Sequence, residues 1–266
     1  MGVGVVSSFR LQIDQSPVVL RRPSDLVAVA SRPVTEKAKL AEVFGDDQGF
    51  PERIAPGFFP SNIEAEHIAR YRWAASRAFG KSVADIACGT GYGSRILVDA
   101  GARQVTSIDI HEPALRFGVD SYGIRCAIAD AGRIPLKSAC VDLVASLETI
   151  EHLPDPSAFV AEVRRILKPR GLLFVTTPNG DGGSHSGNPW HVHELSKQEL
   201  ESILAAHGFT IASVKAQHWD LPIGRLATRW GFRRVAWEFQ RRPRIRRRAL
   251  PGSRPQYWCI EAVRST

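Results

Sequence analysis

The sequence predicts an α/β fold, in which helices cover both faces of a doubly wound, mostly parallel sheet of seven strands. From about residue 82 onward, short runs rich in valine and isoleucine alternate with amphipathic stretches of helical length. Such alternation is typical of parallel strands joined by right-handed helical crossovers. The 266 residues, of which 44% are hydrophobic and 23% charged, suffice for one globular domain with appendages.

Each element is predicted from its local pattern. A first helix begins after the cap signal Pro60-Ser61-Asn62 and runs towards Gly80. The segment Lys168-Pro169-Arg170-Gly171 predicts a helix stop followed by a turn. The other predicted helices are 92–100, 113–119, 156–167 and 196–206, and the predicted strands are 82–87, 104–110, 124–129, 141–146, 172–177, 209–216 and 257–263.

Four regions follow from this pattern. Residues 1–50 lack sustained periodicity and predict a partly flexible N-terminal arm. Residues 51–220 are expected to form the core, and residues 256–266 its final strand. Residues 221–255 form an arginine-rich insertion between the last two strands.

The net charge of +8 is concentrated in that insertion, because residues 225–254 contain eleven arginines and one acid, Glu238. Aromatic residues are interleaved with the arginines. Four interpretations stay open: an anionic membrane interface, a surface that stacks on bases, a lid over an active site, and a helix packed on the domain by its aromatic side. Of the functional interpretations, the pattern favours an anionic membrane surface or a phosphate-linked acceptor.

The sequence also predicts a cellular location. No apolar run approaches the length of a membrane-spanning helix, and the N-terminus lacks the order of a signal peptide. We therefore expect a cytoplasmic protein. Its arginine-rich segment would bind it to the inner face of the membrane. The four cysteines show no C-x-x-C spacing and are predicted to be buried, reduced thiols: Cys88, Cys126, Cys140 and Cys259.

A glycine-rich turn follows the first predicted strand. Gly89, Gly91 and Gly93 allow a tight turn and the close approach of a cofactor to the backbone. Asp109 ends the next strand about twenty residues on, where a carboxylate can accept both hydroxyls of a ribose. Asp130 follows the third strand, from which a side chain can reach an adenine amino group. Together these positions predict a site for an adenosine-containing cofactor.

The successive motifs resemble those of class I S-adenosylmethionine-dependent methyltransferases, which have a Rossmann-like fold. The matching segments are 85–93, 107–110, 129–131, 134–135, 141–144, 151–156 and 167–171. The resemblance extends over about residues 52–216 and implies an enzyme with S-adenosyl-L-methionine as its cofactor. Ser107 and Arg170 stand where glycine is common in the family. The turn is too short for the G-x-G-x-x-G of a nicotinamide-binding site, since Ser94 and Arg95 follow Gly93.

The resemblance also implies which residues contact the cofactor. They are Tyr71, Asp85, Ala87, Gly89, Gly91, Asp109, Ile110, Asp130, Ala131 and Leu147.

The candidate catalytic residues follow the fourth and fifth strands. Methyl transfer is an in-line displacement that needs alignment and, for a hydroxyl acceptor, a base. Glu148 and His152 follow the fourth strand, and His191 and His193 lie in the polar loop after the fifth. His152 can instead hold the loop backbone below the cofactor, and the other two histidines can instead anchor their loop to the sheet edge.

A narrower resemblance suggests the acceptor. Segments 52–57, 66–71 and 188–194 are similar to type 11-like methyltransferases often encoded with bacterial cell-surface polysaccharide or glycolipid assembly. This implies O-methylation of a sugar, a glycolipid or another small molecule.

Two alternatives remain. Glu148, Glu151 and His152, with His191 or His193, could hold a divalent metal as in terminal RNA 2′-O-methyltransferases, although nucleic acid is the disfavoured partner. The other alternative is a non-catalytic domain that binds S-adenosylmethionine. The sequence leaves the metal unassigned.

Overall fold

The computed structural model describes residues 54–56, 61–181, 188–218, 244–246 and 255–266. The predicted N-terminal arm, residues 1–50, lies outside the described residues, as does most of the predicted insertion 221–255.

Five helices and eight strands make up the described part of the chain. The helices are α1 (Ser61–Ala75), α2 (Tyr92–Asp99), α3 (Glu112–Tyr122), α4 (Pro156–Ile166) and α5 (Lys197–Ala206), with a 3-10 turn at Ile150–His152. The strands are β1 (Ser82–Ile86), β2 (Gln104–Asp109), β3 (Cys126–Ile128), β4 (Val141–Leu147), β5 (Leu167–Pro178), β6 (Phe209–His218), β7 (Arg244–Arg246) and β8 (Tyr257–Arg264).

The strands form one sheet in the order β3-β2-β1-β4-β5-β8-β6-β7. Strands β1 to β5 run parallel, and β8 lies antiparallel between β5 and β6. The predicted doubly wound, mostly parallel sheet of seven strands is confirmed. An eighth strand, β7, extends it at the β6 edge, where Ile245 pairs with Gln217. This short strand lies inside the predicted insertion.

The two largest differences from the predicted boundaries are at the start of β5 and at the end of α1. The strand expected from residue 172 begins at Leu167, which pairs with Val141 before the register shifts to Leu143 opposite Leu172. The predicted turn at 168–171 is therefore an irregularity within β5, and Arg170 has the positive φ of 62° that a local reversal needs. The first helix ends at Ala75, five residues before Gly80. The hydroxyl of Ser76, the first residue after the helix, donates to the carbonyl of Trp73 in its last turn.

Alternating side chains of the central strands build a core on each face of the sheet. Ile86, Val144 and Leu173 face one side, where they join a cluster with Phe159 of α4 and Leu200 of α5. The adjacent strand residues Val83, Leu143 and Phe174 face the other side of the sheet. There they pack against Trp73 of α1 and Leu97 of α2. Burial on both faces explains why these strands appear in the sequence as nearly continuous apolar runs.

The prediction of buried, reduced thiols holds in part. All four cysteines are free, and Cys88 and Cys259 are buried. Cys126 is exposed, because it lies on β3 at the edge of the sheet, and Cys140 is half-buried. In the described part of the chain, none of the helices has both the length and the apolar character needed to cross a membrane.

Candidate active site

The predicted cofactor residues lie along the carboxyl edge of the parallel strands. The glycine-rich turn follows β1, Asp109 ends β2, and Leu147 ends β4. Asp130 and Ala131 come after β3. Open α/β sheets bind their ligands at this edge. The fold thus places these predicted residues in one region.

The turn after β1 requires glycine for two reasons. Gly89 and Gly91 have φ of 56° and 78°, in the left-handed region that favours glycine. The preceding Ala87 shares this conformation with φ of 56°. Gly93 is needed for space, since a Cβ there would lie 2.0 Å from the ring carbon Cζ of Tyr71.

Tyr71 and Asp85 contact one another beneath this turn. The buried Asp85 carboxylate accepts hydrogen bonds from the Tyr71 hydroxyl at 3.2 Å and the Ser94 hydroxyl at 2.6 Å. Ser107 in turn donates to Ser94 at 2.7 Å. Burial raises the pKa of Asp85 to about 7. This network supports the turn from below, and direct contact of Tyr71 or Asp85 with a cofactor stays a prediction.

Asp109 connects the end of β2 to the turn after β1. Its carboxylate accepts hydrogen bonds from the backbone N–H groups of Gly89 and His111, both at 2.8 Å. The next residue, Ile110, is 64% exposed. Ile128, which ends β3, is exposed as well. A carboxylate beside accessible apolar surface fits the ribose and the flat base of an adenosine.

Asp130, Ala131 and Leu147 complete the predicted cofactor set. The Asp130 side chain is exposed and accepts the backbone N–H of Gly132 at 2.6 Å, which orients the loop after β3. Ala131 and Leu147 are buried in the two cores. An exposed carboxylate at this position remains accessible to an amino group of a ligand.

Two of the predicted catalytic histidines lie together. The His152 and His191 rings pack edge to face with centroids 4.8 Å apart. His152 Nδ1 lies 3.1 Å from the Trp190 carbonyl oxygen, and His191 Nδ1 lies 2.6 Å from Glu194 Oε1. Both contacts fix the orientation of an imidazole.

The polar loop reaches these positions because it is bonded to the turn after β4. The backbone N–H groups of Val192 and His193 both donate to the Glu151 carbonyl, at 2.9 and 3.2 Å. Glu151, His152 and His191 thereby each offer one ligand atom within 4.8 Å of the others. This brings together three members of the metal set considered from the sequence.

The other two predicted catalytic residues, Glu148 and His193, are not part of this group. The exposed His193 ring contacts Glu199 in the first turn of α5, with Nε2 and Oε1 3.3 Å apart. Glu148 has a positive φ of 59° and accepts the Thr176 hydroxyl at 2.7 Å. Neither side chain belongs to the group formed by Glu151, His152 and His191.

Comparisons with known proteins agree with this geometry. A family model described as a methyltransferase domain matches residues 84–175. A Mycolicibacterium smegmatis protein named as an S-adenosylmethionine-dependent methyltransferase is 31% identical over 196 residues, which are 71% of this chain and 76% of that protein. The chain belongs to the S-adenosylmethionine-dependent methyltransferases.

Further matches agree with this family. A ubiquinone biosynthesis O-methyltransferase of Idiomarina loihiensis is 35% identical to this methyltransferase over 113 residues, covering 38% of this chain and 44% of that protein. The crystal structure of an S-adenosylmethionine-dependent methyltransferase from Mesorhizobium loti has the same fold, with a TM-score of 0.56 at 20% identity over 77% of this chain and all of that chain. The cofactor is S-adenosylmethionine, as predicted.

A buried polar group of the methyltransferase centres on Arg70, and the sequence predictions assigned it no role. Arg70 of α1 is fully buried, stacks 4.3 Å from the Tyr257 ring centroid and donates to the Gln217 side chain. Its Nε lies 3.9 Å from Glu148 Oε1. Desolvation raises the pKa of the neighbouring Glu66 to about 8. The sequence signal that could have indicated this group is the spacing of Glu66 and Arg70, which lie four residues apart on the predicted first helix.

Glu151 is the other residue missing from the predicted catalytic set. Its side chain is fully buried, and among the described residues neither carboxylate oxygen forms a hydrogen bond of normal geometry, although the Thr177 hydroxyl is close enough to act against the rise in its pKa. Burial and the nearby Glu148 carboxylate both raise the pKa of Glu151 well above its ordinary value. From the sequence, Glu151 was predicted only as a possible metal ligand.

Proposed function

We propose that this methyltransferase O-methylates a hydroxyl group of a small acceptor with a lipid portion, such as a glycolipid. The observation that carries the proposal is the pair of oriented imidazoles, His152 and His191, after β4 and β5. These residues follow the carboxyl ends of the strands, where the fold binds its ligands. A hydroxyl acceptor needs a group that removes its proton, and imidazole is the commonest such group in proteins.

The tautomer of His152 supports this role. A carbonyl oxygen can only accept a hydrogen bond, so the Nδ1 atom next to the Trp190 carbonyl carries the proton. Nε2 then has the lone pair of a base. Bound S-adenosylmethionine supplies an electrophilic methyl group on a sulfonium sulfur. His152 Nε2 would take the proton of the acceptor hydroxyl as that oxygen is methylated, and the demethylated cofactor would leave as a thioether.

Exposed apolar side chains support a lipid portion in the acceptor. Trp190 and Val192 flank His191 and are 57% and 62% exposed. Large apolar residues that remain accessible beside a polar site can contact the apolar part of a ligand. The relative from Idiomarina loihiensis is named for ubiquinone biosynthesis, which agrees with an O-methylated acceptor of this kind.

The arginine-rich segment supplies a second part of the proposal. With its surplus of cations, it would bind an anionic membrane surface or a phosphate group of the acceptor and so bring the enzyme to the inner face of a membrane. Apart from residues 244–246 and 255, the predicted insertion lies outside the described residues. This part therefore rests on the sequence.

The experiment uses methyl-labelled S-adenosylmethionine and three acceptor pools: a chloroform–methanol extract, a water-soluble extract and purified RNA. We expect label in the lipid extract that survives mild alkali, as an ether does and an ester does not. His152→Asn should lower that labelling by about 100-fold. His207→Asn is the matched control, because His207 contacts Ser157 at the start of α4, away from this group. Label confined to RNA, or lost in alkali, would contradict the proposal.

A further inference from the structure

The group formed by Glu151, His152 and His191 has the composition of a metal site. Its three ligand atoms lie within 4.8 Å of one another, and Glu151 Oε1 lies 4.0 Å from His152 Nε2. Two imidazole nitrogens and one carboxylate oxygen are a ligand set found around catalytic zinc, which leaves a position for substrate or water. Because two of the ligands are imidazole nitrogens, the set suits Zn²⁺ or another imidazole-binding transition metal, such as Ni²⁺ or Cu²⁺, better than Ca²⁺ or Mg²⁺.

The contacts on the far side of each imidazole strengthen this interpretation. His152 Nδ1 is held by the Trp190 carbonyl and His191 Nδ1 by the Glu194 carboxylate. Metal-binding histidines commonly donate their second ring N–H to a carbonyl or a carboxylate, which fixes the tautomer and makes the ligand more basic. In both histidines a proton on Nδ1 leaves the lone pair on Nε2, and Nε2 is then the atom that can bind a cation. His191 Nε2 lies 3.0 Å from the Asn188 side-chain nitrogen, which can donate to that lone pair when no cation is present.

Glu151 provides an independent observation. Its carboxyl group is fully buried, and neither oxygen forms a hydrogen bond of normal geometry in the described part of the chain, where the neighbouring Thr177 hydroxyl is also unsatisfied. Buried polar groups are nearly always satisfied, because losing water without gaining a partner is unfavourable. A cation between this carboxylate and the two imidazoles would supply the missing partner.

We propose that Glu151, His152 and His191 bind one divalent transition-metal cation, with Zn²⁺ as the reference ion. Bonds of about 2.0–2.1 Å in a tetrahedral arrangement place neighbouring ligand atoms about 3.3 Å apart. Binding therefore draws the three atoms together by up to about 1.5 Å relative to the 4.8 Å limit within which they lie.

The role of the cation rests on the proposed function, whereas its binding does not. A cation at this position would coordinate the acceptor oxygen and lower the pKa of the hydroxyl, so that its proton leaves to water before the oxygen takes the methyl group. With the cation bound, the two imidazoles act as ligands and water takes the hydroxyl proton, whereas without the cation His152 Nε2 is the base.

The test measures Zn²⁺ binding to the full chain by competition with a chromophoric chelator, after treatment with EDTA and dialysis. We expect one equivalent to bind to the wild type. The variants His152→Asn, His191→Asn and Glu151→Gln should each raise the Kd at least about tenfold. Glu194→Gln, which alters the partner of His191 Nδ1 and leaves the three ligands in place, should raise it by about 10- to 100-fold. His207→Asn should leave the Kd within about twofold.

A second signal locates the metal. Co²⁺ bound in place of Zn²⁺ should give visible absorption bands that disappear in His152→Asn and in His191→Asn. Circular dichroism and S-adenosylmethionine affinity identify any variant that fails to fold, and the remaining variants then decide the question. Absence of stoichiometric Zn²⁺ binding, or an equal Kd in every folded variant, as thiol binding would give, overturns the proposal.

The two proposals fail in distinguishable ways. Zn²⁺ bound at these residues, without an alkali-stable methylated product, would retain the metal site and contradict O-methylation. Methylation that proceeds fully in EDTA, by a chain that does not bind Zn²⁺, would retain O-methylation and overturn the metal site.

Discussion

The carboxylate of Asp109 accepts the backbone N–H of Gly89 at 2.8 Å, which joins the end of β2 to the glycine-rich turn after β1. Its second oxygen accepts the N–H of His111 at the start of α3. The carboxylate expected to hold the ribose is thus oriented by two separate loops. Binding and loop geometry should respond together when this residue is changed.

Replacing Asp109 by alanine should weaken S-adenosylmethionine binding by about 1.5–3 kcal/mol, because a charge-assisted hydrogen bond to the ribose is lost. Calorimetric titration measures the change directly. Asp99→Ala is a matched control, since Asp99 forms a surface ion pair with Arg95 on α2. Equal affinities for wild type and Asp109→Ala would show that the ribose binds elsewhere.

Gly93→Ala should lower both the stability and the cofactor affinity. The new Cβ would lie 2.0 Å from Cζ of Tyr71, a buried ring that is bonded to Asp85. Overpacking of this kind costs about 1–3 kcal/mol. Thermal unfolding and cofactor titration give the two quantities.

Gly80→Ala controls for a general loss of stability. Gly80 has a positive φ of 70° and open space at its Cβ position, so alanine there strains the backbone without a collision. It should lower the unfolding temperature and leave cofactor affinity unchanged. If Gly93→Ala behaves in the same way, the ring of Tyr71 does not couple to the cofactor site.

The buried Glu66 should make the protein less stable as the pH rises. Its pKa is raised to about 8 in the folded state, mainly by desolvation, from an ordinary value of 4.5. The folded state then binds a proton that the unfolded state has released, so stability that is complete below pH 4.5 is lost as the pH approaches 8. Relative to Glu66→Gln, the wild type should lose on the order of 1–3 kcal/mol of unfolding free energy across this range. Denaturant unfolding at several pH values measures the difference, and parallel curves for the two proteins would refute the assignment.

Trp190→Ala should raise the KM for a lipid-bearing acceptor several-fold with little change in kcat, because the exposed ring binds the part of the acceptor that does not react. Phe79→Ala is the matched control. Phe79 is 82% exposed but lies just before β1, at the opposite edge of the sheet. A loss of kcat in Trp190→Ala, or an equal KM change in both variants, would contradict contact between Trp190 and the acceptor.

The cofactor half of the site could be predicted because its signals are local. Alternating apolar runs predicted the parallel sheet, and the spacing from Gly89 to Asp109 placed both at its carboxyl edge. The break at Pro169 and Gly171 was misleading for a physical reason. Helix α4 ends earlier, at Ile166, and Leu167 already pairs with Val141, so the strand begins before the irregularity.

The acceptor half depends on contacts between distant parts of the chain. His191 reaches His152 because the loop after β5 donates two backbone hydrogen bonds to the Glu151 carbonyl. The polar group around Arg70 combines residues of α1, β6 and β8, and Gln217 is 147 positions from Arg70. Sequence spacing carries no information about such neighbours, and His193 looked as promising as His191 for the same reason.

Calorimetric titration of the full chain with S-adenosylmethionine and with its demethylated product, in the presence and absence of EDTA, tests the cofactor site itself. We expect one site of micromolar affinity for both ligands, weakened at least tenfold by Asp109→Ala. Failure of either ligand to bind a folded wild-type chain would contradict the assignment of this edge of the sheet as an S-adenosylmethionine site.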